Sequence, residues 1–392
     1  MIRAIGTAIL LGVAPAVGAQ VDSTPVQGKL YARPFIASAG RTAIGGYLEA
    51  NAHLQKEEGI SDGLSMELRR FNIFLFSSLG ARLRFISELE FERGTEEIAL
   101  ETALVDFRLS RALVLRGGIL LLPIGAFNQD HDGPRWEFVD RPLVATEVIP
   151  TTLSEVGFGV NGRVVPAGLA FTYDAYVSNG LGEGVVLNTT GRTHLASGRR
   201  EGQSGGDDNG VPAFSGRVAL RSSEIGEYGV SYYGTIYNVF RADGAAVDRR
   251  RALAIVAFDA SAELAGGIAV RGEVAHVRVE LPASLVDLHG ARQWGMHVDL
   301  VYPLLTVRDG ALSGGVVNLT ARVEHVDLNV GRFASTGDLI GDDRSAITLG
   351  ASYRPVPGTV FKVNYRREWE SDLLRNAATR SGALQVGIAT YF

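Results

Sequence analysis

The chain has 392 residues, of which 46% are hydrophobic, with a formal net charge of −5 and no cysteine. The lack of cysteine excludes disulfide bridges and cysteine-ligated metal sites. Beyond Gln20, no apolar stretch reaches the roughly 18 residues that a transmembrane helix needs, so we expect no such helix in the mature chain. The length is compatible with two ordinary domains or with one large all-β unit.

The N-terminus has the pattern of an export signal. Arg3 supplies a positive charge, residues 4–17 are apolar and small, and Gly18 and Ala19 fit the small-residue rule for cleavage. We therefore predict a signal peptide over residues 1–19, and the alternative is a buried N-terminal helix. Residues 20–42 are predicted to form a short periplasmic or lumenal segment before the first strand.

Hydrophobic and polar residues then alternate with a period of two along most of the chain. A strand that has lipid on one face and a lumen on the other requires this pattern. It predicts an all-β fold, namely a transmembrane antiparallel up-and-down β-barrel of sixteen strands over residues 43–392. The predicted strands are 43–55, 66–77, 82–93, 98–109, 113–122, 154–164, 168–178, 213–222, 227–237, 252–263, 267–279, 291–302, 314–326, 345–354, 359–369 and 382–392.

The connections are predicted to alternate between long outer loops and short periplasmic turns. The long loops are 123–153, 179–212, 238–251, 280–290, 327–344 and 370–381. Two connections depart from this rule, because 93–96 is short for an outer loop and 303–313 is long for an inner turn. Residues 197–209 are polar and rich in glycine, which predicts a mobile outer loop.

The predicted strand 267–279 does not keep one apolar face. In residues 274–280, polar side chains move to the face on which Ile268, Val270 and Val274 are predicted to meet lipid. A bulge near Ala275 is one explanation. Exit of the strand from the hydrocarbon layer is a simpler one, because charges cost little near the membrane interface.

The chain ends in an amphipathic strand. Leu384, Val386, Ile388 and Phe392 share one face of residues 381–392. This strand resembles the closing strand and assembly signal of outer-membrane barrels, so the barrel assembly machinery is a predicted partner through Phe392. We therefore predict that the chain is integral to the outer membrane of a Gram-negative-type bacterium, in contact with its lipid.

A more specific pattern covers residues 115–162. A strand ends in G-x-x-x-x-P-x-G at 118–125, the loop that follows has an acidic-Arg-Pro step at 140–142, and the next strand has E-x-G-x-x-x-x-G at 155–162. This segment resembles the phosphate-selective porin O and P family. The resemblance implies a sixteen-stranded, trimeric channel whose third outer loop, here 123–153, folds into the lumen. The alternative is a solvated surface loop.

Charged residues of this loop are the predicted selectivity determinants, because a ring of charge acts where a pore is narrow. The predicted constriction residues are Asp130, His131, Asp132, Arg135, Glu137, Asp140 and Arg141. Strand parity predicts a pore wall that contains Arg82, Arg84, Arg116, Glu88, Glu90, Arg217, Arg221, Arg271, Arg322 and Arg366. These arginines either face the acids of the loop across the lumen or are neutralised by carboxylates on neighbouring strands.

We expect a porin that passes small hydrophilic solutes by passive diffusion, with a mild preference for anions such as phosphate implied by the resemblance. A general or mildly cation-selective porin is the alternative. The predicted partners are small anions or polar solutes and further copies of the chain in a homotrimer, with no nucleic acid.

Other functions fit the sequence less well. We predict no enzyme, no catalytic residue, no cofactor and no metal site, because no histidine lies in a motif of a known barrel lipase or protease. A structural barrel filled by its own side chains has about eight strands. A transporter of hydrophobic ligands would need an N-terminal plug and an apolar lumen, whereas residues 20–42 are few and the inward faces are predicted to be charged.

Overall fold

The computed structural model describes residues 24–37, 41–199, 206–307 and 314–392. Within them, sixteen antiparallel strands form one closed barrel, as predicted. In chain order they are β1 (Thr42–Glu57), β2 (Ile60–Leu79), β3 (Leu83–Glu92), β4 (Glu97–Arg108), β5 (Val114–Leu121), β6 (Ser154–Val164), β7 (Ala170–Ser178), β8 (Ala213–Ser222), β9 (Gly226–Ile236), β10 (Ala252–Leu264), β11 (Ile268–Val279), β12 (Arg292–Thr306), β13 (Val316–Asp327), β14 (Asp343–Val356), β15 (Thr359–Glu370) and β16 (Thr379–Tyr391). The predicted signal peptide lies outside the described residues.

The barrel closes between its first and last strands. β1 pairs with β16 from Tyr47 opposite Tyr391 to Glu57 opposite Ser381. A separate two-stranded hairpin lies in the connection between β9 and β10, at Arg241–Ala242 and Ala245–Ala246. The helices are short: Val26–Tyr31, Pro34–Ala37, Gly125–Gln129, Gly133–Arg135, Val144–Val148, Pro166–Gly168, Glu183–Val185, Leu195–Gly198 and Ala283–Leu285. No helix in the described residues is long and apolar enough to cross a membrane.

The alternation of the sequence becomes an alternation of exposure, because successive strand side chains point to opposite faces. In β8 and β9, the inward Arg217 and Tyr233 are buried, whereas the outward Phe214 and Val230 are 57% and 49% exposed. Exposed apolar side chains recur on the other strands, so the barrel exterior is largely apolar. A surface of this extent is stable in lipid rather than in water.

The first hairpin is longer than predicted. Residues 56–65, predicted as a connection, extend β1 and β2 up to a two-residue turn. Glu58 and Gly59 both have positive φ, 46° and 87°, the backbone required by a type I′ turn. The β1–β2 pairing continues through residues 56–65 although their outer face is not apolar, because the hydrogen bonds between strands are made by the backbone.

Two bulges turn extra charges into the lumen. Glu49 pairs with Arg70 and Ala50 with Leu68, which leaves Arg69 unpaired in β2. Glu101 is left unpaired in the same way between β3 and β4. A bulged residue interrupts the two-residue period. Both Arg69 and Arg70 consequently contact lumenal carboxylates, Asp140 and Glu49 respectively.

The register of β11 is continuous with both neighbouring strands, which excludes the bulge near Ala275. His276 and Arg278 are exposed on the outside, whereas Val277 and Val279 are buried on the inside. The inward apolar residues join a hydrophobic cluster that also includes Ile255, Leu253 and Val326 from the wall and Val144, Val148, Ile149, Leu181, Val185 and Leu195 from the loops. The prediction that the inward faces are charged is therefore wrong for this part of the wall.

Candidate functional site in the lumen

The loop between β5 and β6 contacts wall strands on several sides of the lumen. Lys362 Nζ on β15 donates to the carbonyl oxygens of Gly133 (3.0 Å) and Phe138 (2.9 Å). The backbone N–H of Phe127 donates to Glu273 on β11 at 3.1 Å. These contacts hold charged residues of the loop against inward-facing residues of the barrel.

The segment 24–37 contacts the inner wall as well. The backbone N–H of Val26 donates to Glu227 on β9, and the Tyr31 hydroxyl donates to Asp106 on β4 at 2.9 Å. Phe35 stacks on Phe74 of β2 with ring centroids 5.5 Å apart. Sequence reasoning did not assign any residue of this segment to the site, although its Lys29 and Arg33 are the only charges between Asp22 and Arg41.

Arg33 connects this segment to the loop and to the wall. Its Nε and Nη2 each lie 2.9 Å from an oxygen of Asp132, and Nη2 also donates to Glu88 at 3.1 Å. The Tyr391 hydroxyl donates to Asp132 at 2.6 Å. Burial raises the pKa of Asp132, but Arg33 and Arg135 outweigh burial and hold that pKa well below its usual range. Asp132 is therefore a carboxylate at neutral pH.

A second cluster centres on Asp130. Arg135 Nη1 lies 2.6 Å and Lys29 Nζ lies 3.4 Å from its carboxylate. Burial raises the pKa of Asp130, but Lys29 and Arg135 lower it by a larger amount, so the net shift of this pKa is downward. Two predicted constriction residues thus meet each other together with a cation from the N-terminal segment.

The C-terminal half of the loop is held by the wall on the other side. Arg354 Nε donates to Glu137 at 2.6 Å, and Arg69 Nη1 donates to Asp140 at 2.9 Å. Burial raises the pKa of Asp140, but Arg69 and Arg366 outweigh it, so the pKa falls to about 2. Arg141 differs, since among the described residues its Nε and Nη2 are buried without a hydrogen-bond partner.

His131 lies between the loop and β4. Its Nδ1 is 3.0 Å from the carbonyl oxygen of Asn128, and its Nε2 is 3.3 Å from Oε2 of Glu101. Only 2% of the His131 surface and 2% of the Glu101 surface are exposed. The seven predicted constriction residues therefore all lie on one loop that contacts the inner wall, but they bind different partners.

Most predicted wall arginines share a carboxylate with another group. Arg84 and Arg116 both contact Asp106, at 3.3 and 2.7 Å, although sequence parity did not identify that aspartate. The remaining contacts are Arg217 and Arg221 with Glu227, Arg322 with Asp299, and Arg366 with Glu324.

Of the predicted wall acids, Glu88 and Glu90 both accept from the Asn72 amide. Arg82 lies in an exposed turn before β3 rather than on a strand.

Arg271 is an exception. Its guanidinium lies 5.2 Å from the Trp136 ring centroid and 3.4 Å from the Arg135 carbonyl oxygen, and within the described part of the chain it makes no direct ion pair. It borders a cavity of about 40 Å³ between the N-terminal segment, the loop and the wall. Lys29, Arg221, Glu227, Glu273 and His297 are among the other residues that line this cavity.

Comparison with known proteins identifies the fold. No family model matches the chain. A protein of Aquifex aeolicus (strain VF5), described only as uncharacterized, is 27% identical over 365 residues, which are 86% of this chain and 79% of that protein.

Solved structures with a similar fold include a porin and another outer-membrane protein. The anion-selective porin of Comamonas acidovorans matches with a TM-score of 0.55 and 12% identity over 90% of this chain and 99% of that one. The trimer form of OmpT, an outer-membrane protein of Vibrio cholerae, matches with a TM-score of 0.53 and 10% identity over 90% and 100% of the two chains. At these identities the likeness concerns the fold. Together with the apolar exterior, it makes the chain an integral outer-membrane β-barrel with a porin-like architecture.

Proposed function

We propose that this chain is a porin that lets small hydrophilic solutes diffuse across the outer membrane, with a mild preference for anions, phosphate among them. A sixteen-stranded barrel is wide enough to enclose an aqueous channel. Loop 123–153 would narrow that channel, because its residues contact wall strands on several sides of the lumen. The N-terminal segment 24–37 would narrow it further.

The observation that supports the anion preference is that Arg271 makes no direct ion pair with a carboxylate in the described chain. Its positive charge borders a lumenal cavity and has no direct carboxylate partner in the described chain. A charge in a narrow, low-dielectric lumen attracts counter-ions much more strongly than the same charge in bulk water. Arg141, whose Nε and Nη2 are buried without a hydrogen-bond partner in the described part of the chain, would add to this effect.

The same geometry keeps the preference mild. Arg217 and Arg221 lie against Glu227 and Asp259, and Arg322 lies against Asp299, so each of these clusters contributes little net charge to the lumen. A strongly anion-selective pore would instead need an uninterrupted row of unpaired cations. Selectivity in this barrel therefore depends on a few positions near the loop.

Reversal potentials in a planar bilayer under a KCl gradient test the proposal. We expect a small anion preference in the wild type and a fall of about twofold in the anion-to-cation permeability ratio in Arg271→Gln. The matched control is the double variant Arg322→Gln/Asp299→Asn, which removes a paired cation together with its carboxylate and should leave the ratio unchanged. Clear cation preference in the wild type, or equal effects of the two variants, would contradict the anion assignment.

The oligomeric state is part of the same proposal. We infer a homotrimer from the resemblance that the segment 115–162 carries, and one of the similar solved structures is a trimer form. Light scattering of the detergent-solubilised, folded protein should give three chains per particle. A single chain per particle would contradict the trimer and leave the pore proposal intact.

A further inference from the structure

We propose that Glu88, Glu101 and His131 form a binding site for a divalent transition-metal ion such as Zn²⁺, which fastens loop 123–153 to the barrel wall. One ligand atom from each residue lies within 4.8 Å of the other two. All three side chains are buried, with at most 2% of their surface exposed. The site concerns the attachment of the loop and does not depend on whether the barrel conducts.

The hydrogen bond made by the His131 ring provides the first argument. A backbone carbonyl oxygen only accepts hydrogen bonds, so Nδ1 must carry the proton that it donates to Asn128. In the neutral ring, Nε2 then carries a lone pair and no proton. It faces Oε2 of Glu101 at 3.3 Å, and neither atom has a hydrogen-bond partner in the described chain. Two buried acceptors at this distance repel each other unless a proton or a metal ion lies between them.

The geometry favours a metal ion. Bonds of about 2.0–2.1 Å in a tetrahedral zinc site put neighbouring ligand atoms about 3.3 Å apart. The distance between His131 Nε2 and Glu101 Oε2 has this value. A metal-bound histidine usually donates its other ring N–H to a carbonyl or carboxylate oxygen, as His131 does.

The donor set narrows the kind of ion. One imidazole nitrogen with two carboxylates suits Zn²⁺ and similar first-row ions, whereas Ca²⁺ and Mg²⁺ prefer oxygen ligands alone. Asn72 and Arg33 orient Glu88 by hydrogen bonds of 2.7 and 3.1 Å. Arg33 already occupies Oε2 of Glu88, so an ion would have to share this carboxylate with it.

The ligands come from three segments. Glu88 belongs to β3, Glu101 is the bulged residue of β4, and His131 belongs to the loop. The bulge explains why two consecutive residues, Glu101 and Thr102, are both buried. A bound ion would thus join the loop to the wall at the point where the strand ladder is interrupted.

Calorimetric titration of the metal-stripped, detergent-folded protein with ZnCl₂ tests the site. We expect one ion per chain, and at least tenfold weaker binding (about 1.4 kcal/mol) in both His131→Ala and Glu101→Gln. Co²⁺ should give the absorption bands of a four-coordinate ion in the wild type and in the control variant, but not in His131→Ala or Glu101→Gln. The matched control is His53→Ala, because His53 also faces a glutamate, Glu67 at 3.7 Å, but belongs to no group of three metal-ligating side chains among the described residues.

Heat-dependent electrophoretic mobility shows whether each variant has folded. His131→Ala and Glu101→Gln change different ligands, so each tests the site separately. Absence of Zn²⁺ binding to the folded wild type would overturn the proposal and leave a proton between His131 and Glu101. Binding that survives both substitutions, or that His53→Ala abolishes, would overturn it too. Conductance enters none of these measurements, so failure of the metal site and failure of the pore are distinguishable.

Discussion

Arg33 and Asp132, which are 99 positions apart in sequence, are joined by two hydrogen bonds of 2.9 Å in the lumen. Both side chains are almost fully buried, with 2% and 1% of their surfaces exposed. The contact joins the N-terminal segment to the loop, and Glu88 extends it to the wall. The N-terminal segment, the loop 123–153 and the wall strand β3, which are far apart in sequence, therefore meet at Arg33.

Removal of Arg33 should be strongly destabilising. Arg33→Ala leaves Glu88 buried without its guanidinium partner and leaves Asp132 with the more distant Arg135, at 3.7 Å, and breaking a buried ion pair in this way costs about 3–5 kcal/mol. We expect the double variant Arg33→Ala/Asp132→Ala to lose less than the sum of the two single variants, since the residues interact directly. Guanidinium unfolding followed by tryptophan fluorescence measures these losses. Strict additivity would show that the contact contributes no coupling energy.

Lys362 should be essential for holding the loop. Lys362→Met removes two hydrogen bonds to loop carbonyl oxygens and the cation that lies 3.8 Å from Glu49. We expect the free energy of unfolding to fall by about 2–4 kcal/mol and the loop to become sensitive to protease. Lys56→Met is the matched control, because Lys56 is exposed at the end of β1. Equal protease resistance in both variants would contradict the anchoring role.

The loop should detach in acid. The pKa of Asp140 in the folded protein, about 2, lies below its ordinary value, so its contribution to stability is present above pH 4 and is lost as the pH falls towards 2. Protonation would release Arg69 and Gln385. We expect current fluctuations to increase between pH 4 and pH 2, and Asp140→Asn to show them at pH 7. Fluctuations that begin near pH 6 would implicate a different group.

A disulfide can test the position of the loop, because the chain has no cysteine of its own. A Cβ atom built on Gly387 of β16 lies 3.3 Å from Cγ2 of Val139, which is close enough for a bridge. Val139→Cys/Gly387→Cys should therefore cross-link on oxidation, as seen by a shift in electrophoretic mobility. Val139→Cys/Gly382→Cys, placed further along the same strand, should not. Equal yields would mean that the loop does not rest at this site.

The fold was largely predictable from sequence because its signal is local. Ser154–Val164 and Ala213–Ser222 have the predicted bounds, since a two-residue period needs no information from distant residues. The contacts of the lumen are not local. Arg69 was missed because a bulge inverts parity, and Asp106 because its importance comes from partners on β3, β5 and the N-terminal segment.

The most direct test of the pore is the single-channel conductance of the purified, folded wild-type protein in a planar lipid bilayer with symmetric KCl. A barrel that encloses a constricted aqueous channel predicts stepwise, reproducible current increments. It also predicts larger increments in Arg33→Ala, in which the N-terminal segment loses its ion pair with the loop. Folded protein that inserts into the bilayer and carries no current, in the wild type and in this variant, would contradict the proposal that the chain is a porin.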